Sequence, residues 1–153
     1  MNPAHLLSYW QRLSPWPGGR WLYSRLLGAV APYSGSIGAQ VEHLEAGHAV
    51  MSLRDRRGVR NHLESIHAIA LINLAELTSG QAMLTAVGPT VRGIVTGIRM
   101  EYHRKARGTV VAESTVSPPV VTGPVEAEVS AELRDAAGEL VATGYVTWRL
   151  SPR

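Results

Sequence analysis

The sequence predicts an α+β fold in which one long buried helix is wrapped by a curved antiparallel sheet, with a short helical segment in front. Three observations predict it. Residues 63–87 are rich in Ala and Leu, free of Pro, and carry only Glu64 and Glu76 as full charges; a helix that is apolar nearly all round is a buried one. Two strand candidates precede this stretch and four follow it. A chain of 153 residues suits one domain and buries roughly 70% of the surface its unfolded form exposes. A lone buried helix needs apolar partners on most sides. A single curved sheet leaves one side open, and dimerisation commonly closes such an arrangement.

Each element has its own signal. Residues 3–31 read as helical in two pieces, His5–Leu13 and Trp21–Ala31, separated by the breaker Pro15-Trp16-Pro17-Gly18-Gly19. Residues 1–33 form an N-terminal helical segment and 34–153 the core. Trp10, Trp16, Trp21, Tyr9 and Tyr23 are expected to pack that segment on the core; a lid over an acyl chain is the second reading of the cluster. Pro32–Gly38 reads as a loop. Ile37–Leu44 and Ala49–Arg56 alternate as strands around the hairpin signal Glu45-Ala46-Gly47-His48, and Arg54–Arg60 is a polar loop. The helix is expected over Leu63–Val87. Arg92–Arg104, Thr109–Ser117, Pro124–Arg134 and Glu139–Leu150 are strands divided by turn residues. On the third of them Val125, Ala127, Val129, Ala131 and Leu133 share one face.

Composition excludes several function classes. Hydrophobic residues are 45% and charged residues 18% of the chain, a globular balance. With no Cys there is no disulfide scaffold, thiolate nucleophile or Cys-ligated zinc, and a cytoplasmic location is expected. No Phe occurs either, so aliphatic residues, four Trp and five Tyr must fill the core. The N-terminal stretch, interrupted by Pro3, Pro15 and Pro17, does not read as a signal peptide, and no apolar run reaches the roughly 18 residues of a membrane span. A formal charge of +3 without a dense basic stripe does not indicate nucleic acid, though it suits an anionic ligand such as a nucleotide phosphate. His43, His48, His62 and His103 show no metal-ligand spacing, and His62 and His67, five apart, miss a common helical face. No metal and no cofactor are expected.

The segment from Asn61 to Ala82 resembles the signature of hotdog-fold acyl-CoA thioesterases, in particular the branch that includes phenylacetate-pathway thioesterases. In that signature an Asn precedes a His-Gly-Gly by six positions and an acidic residue follows the His by nine. Asn61, His67 and Glu76 keep both spacings, and Gly80 and Ala82 fall where that family carries small residues. The order of elements matches the hotdog fold over nearly the whole chain. The Gly pair is replaced by Ala68 and Ile69, the usual Pro and Gly before the His by His62 and Glu64, and the commoner Asp by Glu76. The resemblance implies hydrolysis of an acyl-CoA or related thioester without a cofactor. A non-catalytic acyl-CoA-binding protein stays open beside it, since the Gly pair is gone. A hotdog dehydratase fits less well, because that group's His stands in another context.

The residues themselves suggest roles. Glu76 in mid-helix is a carboxylate that burial would drive towards protonation; it reads as a general base or nucleophile, or as a structural carboxylate bonded to Asn73 one turn back or to a partner chain. Ala68 at the helix start offers a backbone N–H without an intrahelical partner, suited to an oxyanion. His67 beside it is a site residue, or an ordinary first-turn side chain paired with Glu64. Asn61 is a cap or, as the resemblance implies, positions the water or the carbonyl. Thr96 is a plain strand Thr, or the hydroxyl the family sometimes carries beside the carboxylate. Arg104, Lys105 and Arg107 form a solvated turn, or a contact for the phosphates of coenzyme A. His67 and Glu76 are nine positions apart, so they point to opposite faces with roughly 13 Å of helix between them. They cannot serve one carbonyl within one chain. A site using both combines two subunits, so a homodimer or homotetramer is expected.

Overall fold

The computed structural model describes residues 5–153; residues 3 and 4 of the expected N-terminal helical stretch lie outside them. Three helices open the chain: α1 (Leu6–Leu13), α2 (Gly19–Val30) and the short α3 (Pro32–Gly35). The last corrects the loop expected over Pro32–Gly38, because Pro32 takes the first helical position, where its fixed φ and missing N–H cost nothing. The hairpin β1 (Gln40–Glu45) and β2 (His48–Leu53) follows, then a single 3-10 turn at Arg57–Val59. The long helix α4 spans Ala68–Val87, and β3 (Val91–Tyr102), β4 (Val110–Thr115), β5 (Val125–Arg134) and β6 (Leu140–Pro152) complete the chain. All neighbours in the sheet are antiparallel, in the order β1-β2-β4-β5-β6-β3.

The helix lies against the sheet as its composition requires. Leu71, Leu74, Ala75, Ala82 and Met83 are all but inaccessible. Two of its four buried polar side chains bond back along the helix: Thr78 Oγ1 donates to the Leu74 carbonyl at 2.7 Å and Ser79 Oγ to that of Glu76 at 3.1 Å. Two glycines let the layers approach. A Cβ on Gly144 of β6 would stand 2.6 Å from Ala75 Cβ, and one on Gly80 3.2 Å from the Trp148 ring. On β5 the apolar set Val125 to Leu133 faces the helix and its neighbours face solvent.

Two expectations about packing change. Trp10 and Tyr23 are buried edge-to-face, 5.3 Å between ring centres, and Tyr23 Oη donates to Gln81 Oε1 of α4 at 3.2 Å. Trp16 and Trp21, however, are 70% and 60% exposed, so only part of the aromatic cluster fastens the segment. The long helix begins at Ala68 rather than Leu63. Asn61 draws the chain into a turn, its Oδ1 accepting from Leu63 N–H at 2.9 Å and Ser65 N–H at 3.3 Å, and Glu64 sits at φ 55°. A side chain offering the backbone such bonds competes with helix formation. At the sheet's far side β3 is an edge strand paired only with β6, and Ile94 and Ile98 on it are exposed.

Candidate functional site

The start of α4 is held from both sides. Asp55, after β2, accepts from Arg60 Nε at 2.6 Å and from Gly108 N–H at 2.9 Å. The Arg60 hydrogen bond is the main reason the Asp55 carboxyl titrates below its ordinary range. Ile66 N–H donates to the Ala106 carbonyl and His67 N–H to that of Val59, both at 2.8 Å. The loops after β2 and β3 thus clamp residues 59–67 and fix where the helix begins.

His67 is the N-cap. Its Nδ1 accepts from Ile69 N–H at 3.1 Å, which leaves the proton of a neutral ring on Nε2. Among the described residues no ion pair joins His67 to Glu64. The His67 carbonyl accepts from Ala70 and Leu71 N–H. Ala68 N–H is left without an acceptor among the described residues. Asn61 is similarly half-engaged. Its Oδ1 takes three donors, the third being Ser65 Oγ at 3.2 Å. That fixes the carboxamide's orientation, and Nδ2, which can only donate, has no acceptor among the described residues.

The residues that carry these two free donors line one cleft of about 380 Å³, together with Tyr102, His103, Arg104 and Lys105. Tyr102 Oη donates to the Ala68 carbonyl at 3.2 Å, and partial burial raises its phenol's pKa. Arg104 is tied to Glu139 at 2.9 Å, while Lys105 has no ion pair among the described residues. The structure therefore brings together Asn61, Ala68, Arg104 and Lys105. It does not bring in the other four predicted residues. His67 turns to a neighbouring cavity of about 290 Å³ beside Asn73. Arg107 lies towards Asp55. Thr96 is exposed at a bulge of β3, its Oγ1 3.4 Å from the Thr147 carbonyl.

Glu76 stands more than two turns along α4, half-buried, and burial raises its carboxyl pKa. No described residue donates to that carboxylate, Asn73 included. Asn73 itself is buried with Oδ1 unpartnered. A larger cavity of about 410 Å³ beneath Trp21 and Leu77 touches none of the predicted site residues. Tyr102 escaped the sequence reading, and Asn73 entered it only as a partner for Glu76. Tyr102 looks like any strand aromatic, and Asn73 is recognisable only as a polar residue inside an apolar helix.

A sheet of this order wrapped on one long helix is the hotdog fold of the thioesterase superfamily. Within it, residues 19–150 match the family described as a domain of unknown function, DUF4442, and the chain belongs to that family. A crystal structure from structural genomics is similar over 99% of both chains, with 29% identity and a TM-score of 0.83. A mutant of the phenylacetic acid degradation protein PaaI from Thermus thermophilus is 26% identical over 77% of this chain and 97% of that one, with a TM-score of 0.66. PA5026 from Pseudomonas aeruginosa, described as of unknown function and a probable thioesterase, shares the fold at 24% identity and a TM-score of 0.73, covering 85% of this chain and 93% of that one. No curated protein matches the sequence. No helix of the described residues is long and apolar enough to cross a membrane.

Proposed function

We propose that the chain hydrolyses an acyl-CoA thioester to a free acid and CoA, at a site shared between two copies in a homodimer or a dimer of dimers. One observation carries the reading: Asn61 and Ala68, whose Nδ2 and N–H have no acceptor among the described residues, line one cleft, while the unpartnered Glu76 carboxylate lies farther along the same helix and outside that cleft. The cleft of one subunit supplies donors and the helix of the other supplies the base. Glu76 takes a proton from water as the oxygen attacks the thioester carbon. The Ala68 N–H holds the resulting oxyanion, and Asn61 Nδ2 donates to that oxygen or to the attacking water. The C–S bond then breaks and the proton passes to the departing thiolate. Lys105 and Arg104 at the cleft edge suit the phosphates of CoA. The open edge of β3, with Ile94 and Ile98 exposed, is the kind of strand a second copy would pair with.

The test is thiol release from a panel of acyl-CoAs, followed by complementation. Glu76→Gln and Asn61→Ala each spoil a different half of the site. Mixing the two inactive proteins under subunit exchange puts half the molecules in heterodimers, each with one intact site of two, so about a quarter of parental activity returns. No recovery, with exchange verified, overturns the shared site. A non-catalytic acyl-CoA-binding protein is the second reading, favoured by the side chains of Ala68 and half-exposed Ile69 where the family signature carries glycines. Saturable acyl-CoA binding without turnover on the panel would establish it.

A further inference from the structure

At the far end of α4 from the cleft, the β1–β2 hairpin gathers a second group of side chains. Its turn is fastened to that end of the helix by Gly47 N–H donating to Thr85 Oγ1 at 3.3 Å. His43 and Glu45 are two apart on β1 and share its outer face, and strand pairing sets Glu45 opposite His48 on β2. His48 Nδ1 is 3.3 Å from Glu45 Oε1, and His43 Nε2 is 3.8 Å from Glu45 Oε2. The two imidazole rings are 5.2 Å apart. One ligand atom from each of the three residues lies within 4.8 Å of the others. On the opposite side of His48, its Nε2 is 2.8 Å from Glu113 Oε1 of β4.

His48 thus has a carboxylate at each ring nitrogen, and a neutral imidazole owns one N–H. The shorter contact assigns that proton to Nε2 and Glu113. Nδ1 then turns a lone pair towards the Glu45 carboxylate, with the His43 ring alongside. Positive charge between them resolves the clash, and one cation answers all three groups. We propose that His43, Glu45 and His48 form a binding site for a divalent transition-metal cation, zinc being the probe of choice, with Glu113 holding His48 in the ligating tautomer. The spacing suits it. With bonds of about 2.0–2.1 Å, tetrahedral zinc ligands stand about 3.3–3.4 Å apart, so side-chain rotations that draw together ligand atoms already within 4.8 Å of one another close the set. Two imidazoles select against magnesium and calcium, which take oxygen ligands. A carboxylate on the second nitrogen of a ligating His fixes its orientation. Three protein ligands leave the fourth position to water. The bound ion would clasp β1 to β2 and, through Glu113, to β4. The hairpin brings the set together across its turn, a spacing that sequence analysis did not read as a ligand set.

Untagged full-length protein, stripped with chelator and titrated with zinc chloride in a calorimeter, should take up one equivalent per chain, and its thermal midpoint should rise with zinc but not with magnesium. His43→Ala and Glu45→Gln should each abolish the uptake, and Glu113→Gln should weaken it roughly 10–100-fold. All these side chains but His48 are half or more exposed, and circular dichroism checks each variant; Glu45→Gln also preserves shape. The proposal is overturned if the parent shows no saturable uptake below about 100 μM zinc. It is overturned equally if folded His43→Ala and Glu45→Gln bind as the parent does.

Discussion

Ala68→Pro isolates the oxyanion donor. The residue occupies the first position of α4, where proline is over-represented because its N–H would be unpaired anyway. The residue before it must be extended, since proline disfavours a helical predecessor, and His67 already lies at φ −64° and ψ 139°. The Ala68 N–H bonds nothing among the described residues, so the substitution breaks no hydrogen bond of the free protein. Stability should therefore barely change, which a thermal melt checks. Catalysis should change greatly. Removing one such donor costs about 10²–10³ in kcat, or about 2.7–4 kcal/mol of transition-state stabilisation. The control is Ala68→Gly, which keeps the donor and removes a methyl group from the cleft. It should match or exceed the parent on short acyl-CoAs and cost less than about 1 kcal/mol, the penalty of Gly in a helix interior. Thiol release under saturating substrate is the assay. A folded Pro variant as active as the parent removes the oxyanion from this amide.

Glu76→Gln should lower hydrolysis by about 10²–10⁴, measured as kcat on the best acyl-CoA, and a variant as fast as the parent makes Glu76 structural. Because burial raises the folded-state pKa of Glu76, the unfolded chain releases this proton first as pH rises. The parent accordingly loses stability from the ordinary Glu range up through the raised value. The Gln variant should gain thermal midpoint relative to the parent from acid to neutral pH, and the parent's kcat/KM should rise with pH through that same raised value; a pH-independent midpoint difference contradicts the burial. Gly144→Ala would set a methyl 2.6 Å from Ala75 Cβ and 3.1 Å from Met100 Sδ, so a thermal melt should register an overpacking cost of about 1–3 kcal/mol. Charging the exposed edge with Ile94→Lys and Ile98→Lys should shift the protein to monomer by light scattering and abolish hydrolysis together; an active monomer defeats the shared site.

The fold was readable because its signals are global. The period-2 pattern of β5 and the nearly uncharged stretch ending at Val87 survive local error. What failed was decided locally. The helix start moved from Leu63 to Ala68 because one carboxamide oxygen on Asn61 outcompeted the helix for two backbone N–H groups, a competition invisible to composition. Trp16 and Trp21 were expected to pack because they are aromatic, yet burial depends on the direction of a breaker loop and of the α2 surface. The resemblance pointed to Asn61 and Ala68, and both residues line one cleft with Arg104 and Lys105. Tyr102 joined them only through the closure of β3 on the helix start, and the hairpin histidines met only through strand register.

The proposed division of the site between two chains follows first from helix geometry. Ala68 and Glu76 are eight residues apart, so their backbones are separated by roughly 12 Å along the axis. A helical side chain leans towards the N-terminus, so Glu76 recovers about a third of that distance. The remaining gap, roughly 8 Å, exceeds what one water can span, since two hydrogen bonds of about 2.8 Å reach less than 6 Å. Bending the helix does not help, because Leu74 and Ala75 are packed without accessible surface against the sheet and Gly144 leaves no slack under them. A carboxylate that approaches the Ala68 amide must therefore come from elsewhere. Among the described residues of this chain the cleft offers cations, amides, hydroxyls and the His103 imidazole, whose Nε2 is 3.0 Å from Thr143 Oγ1, but no carboxylate. A second copy, with the same half-buried Glu76, which has no partner among the described residues, is the source we propose for that carboxylate.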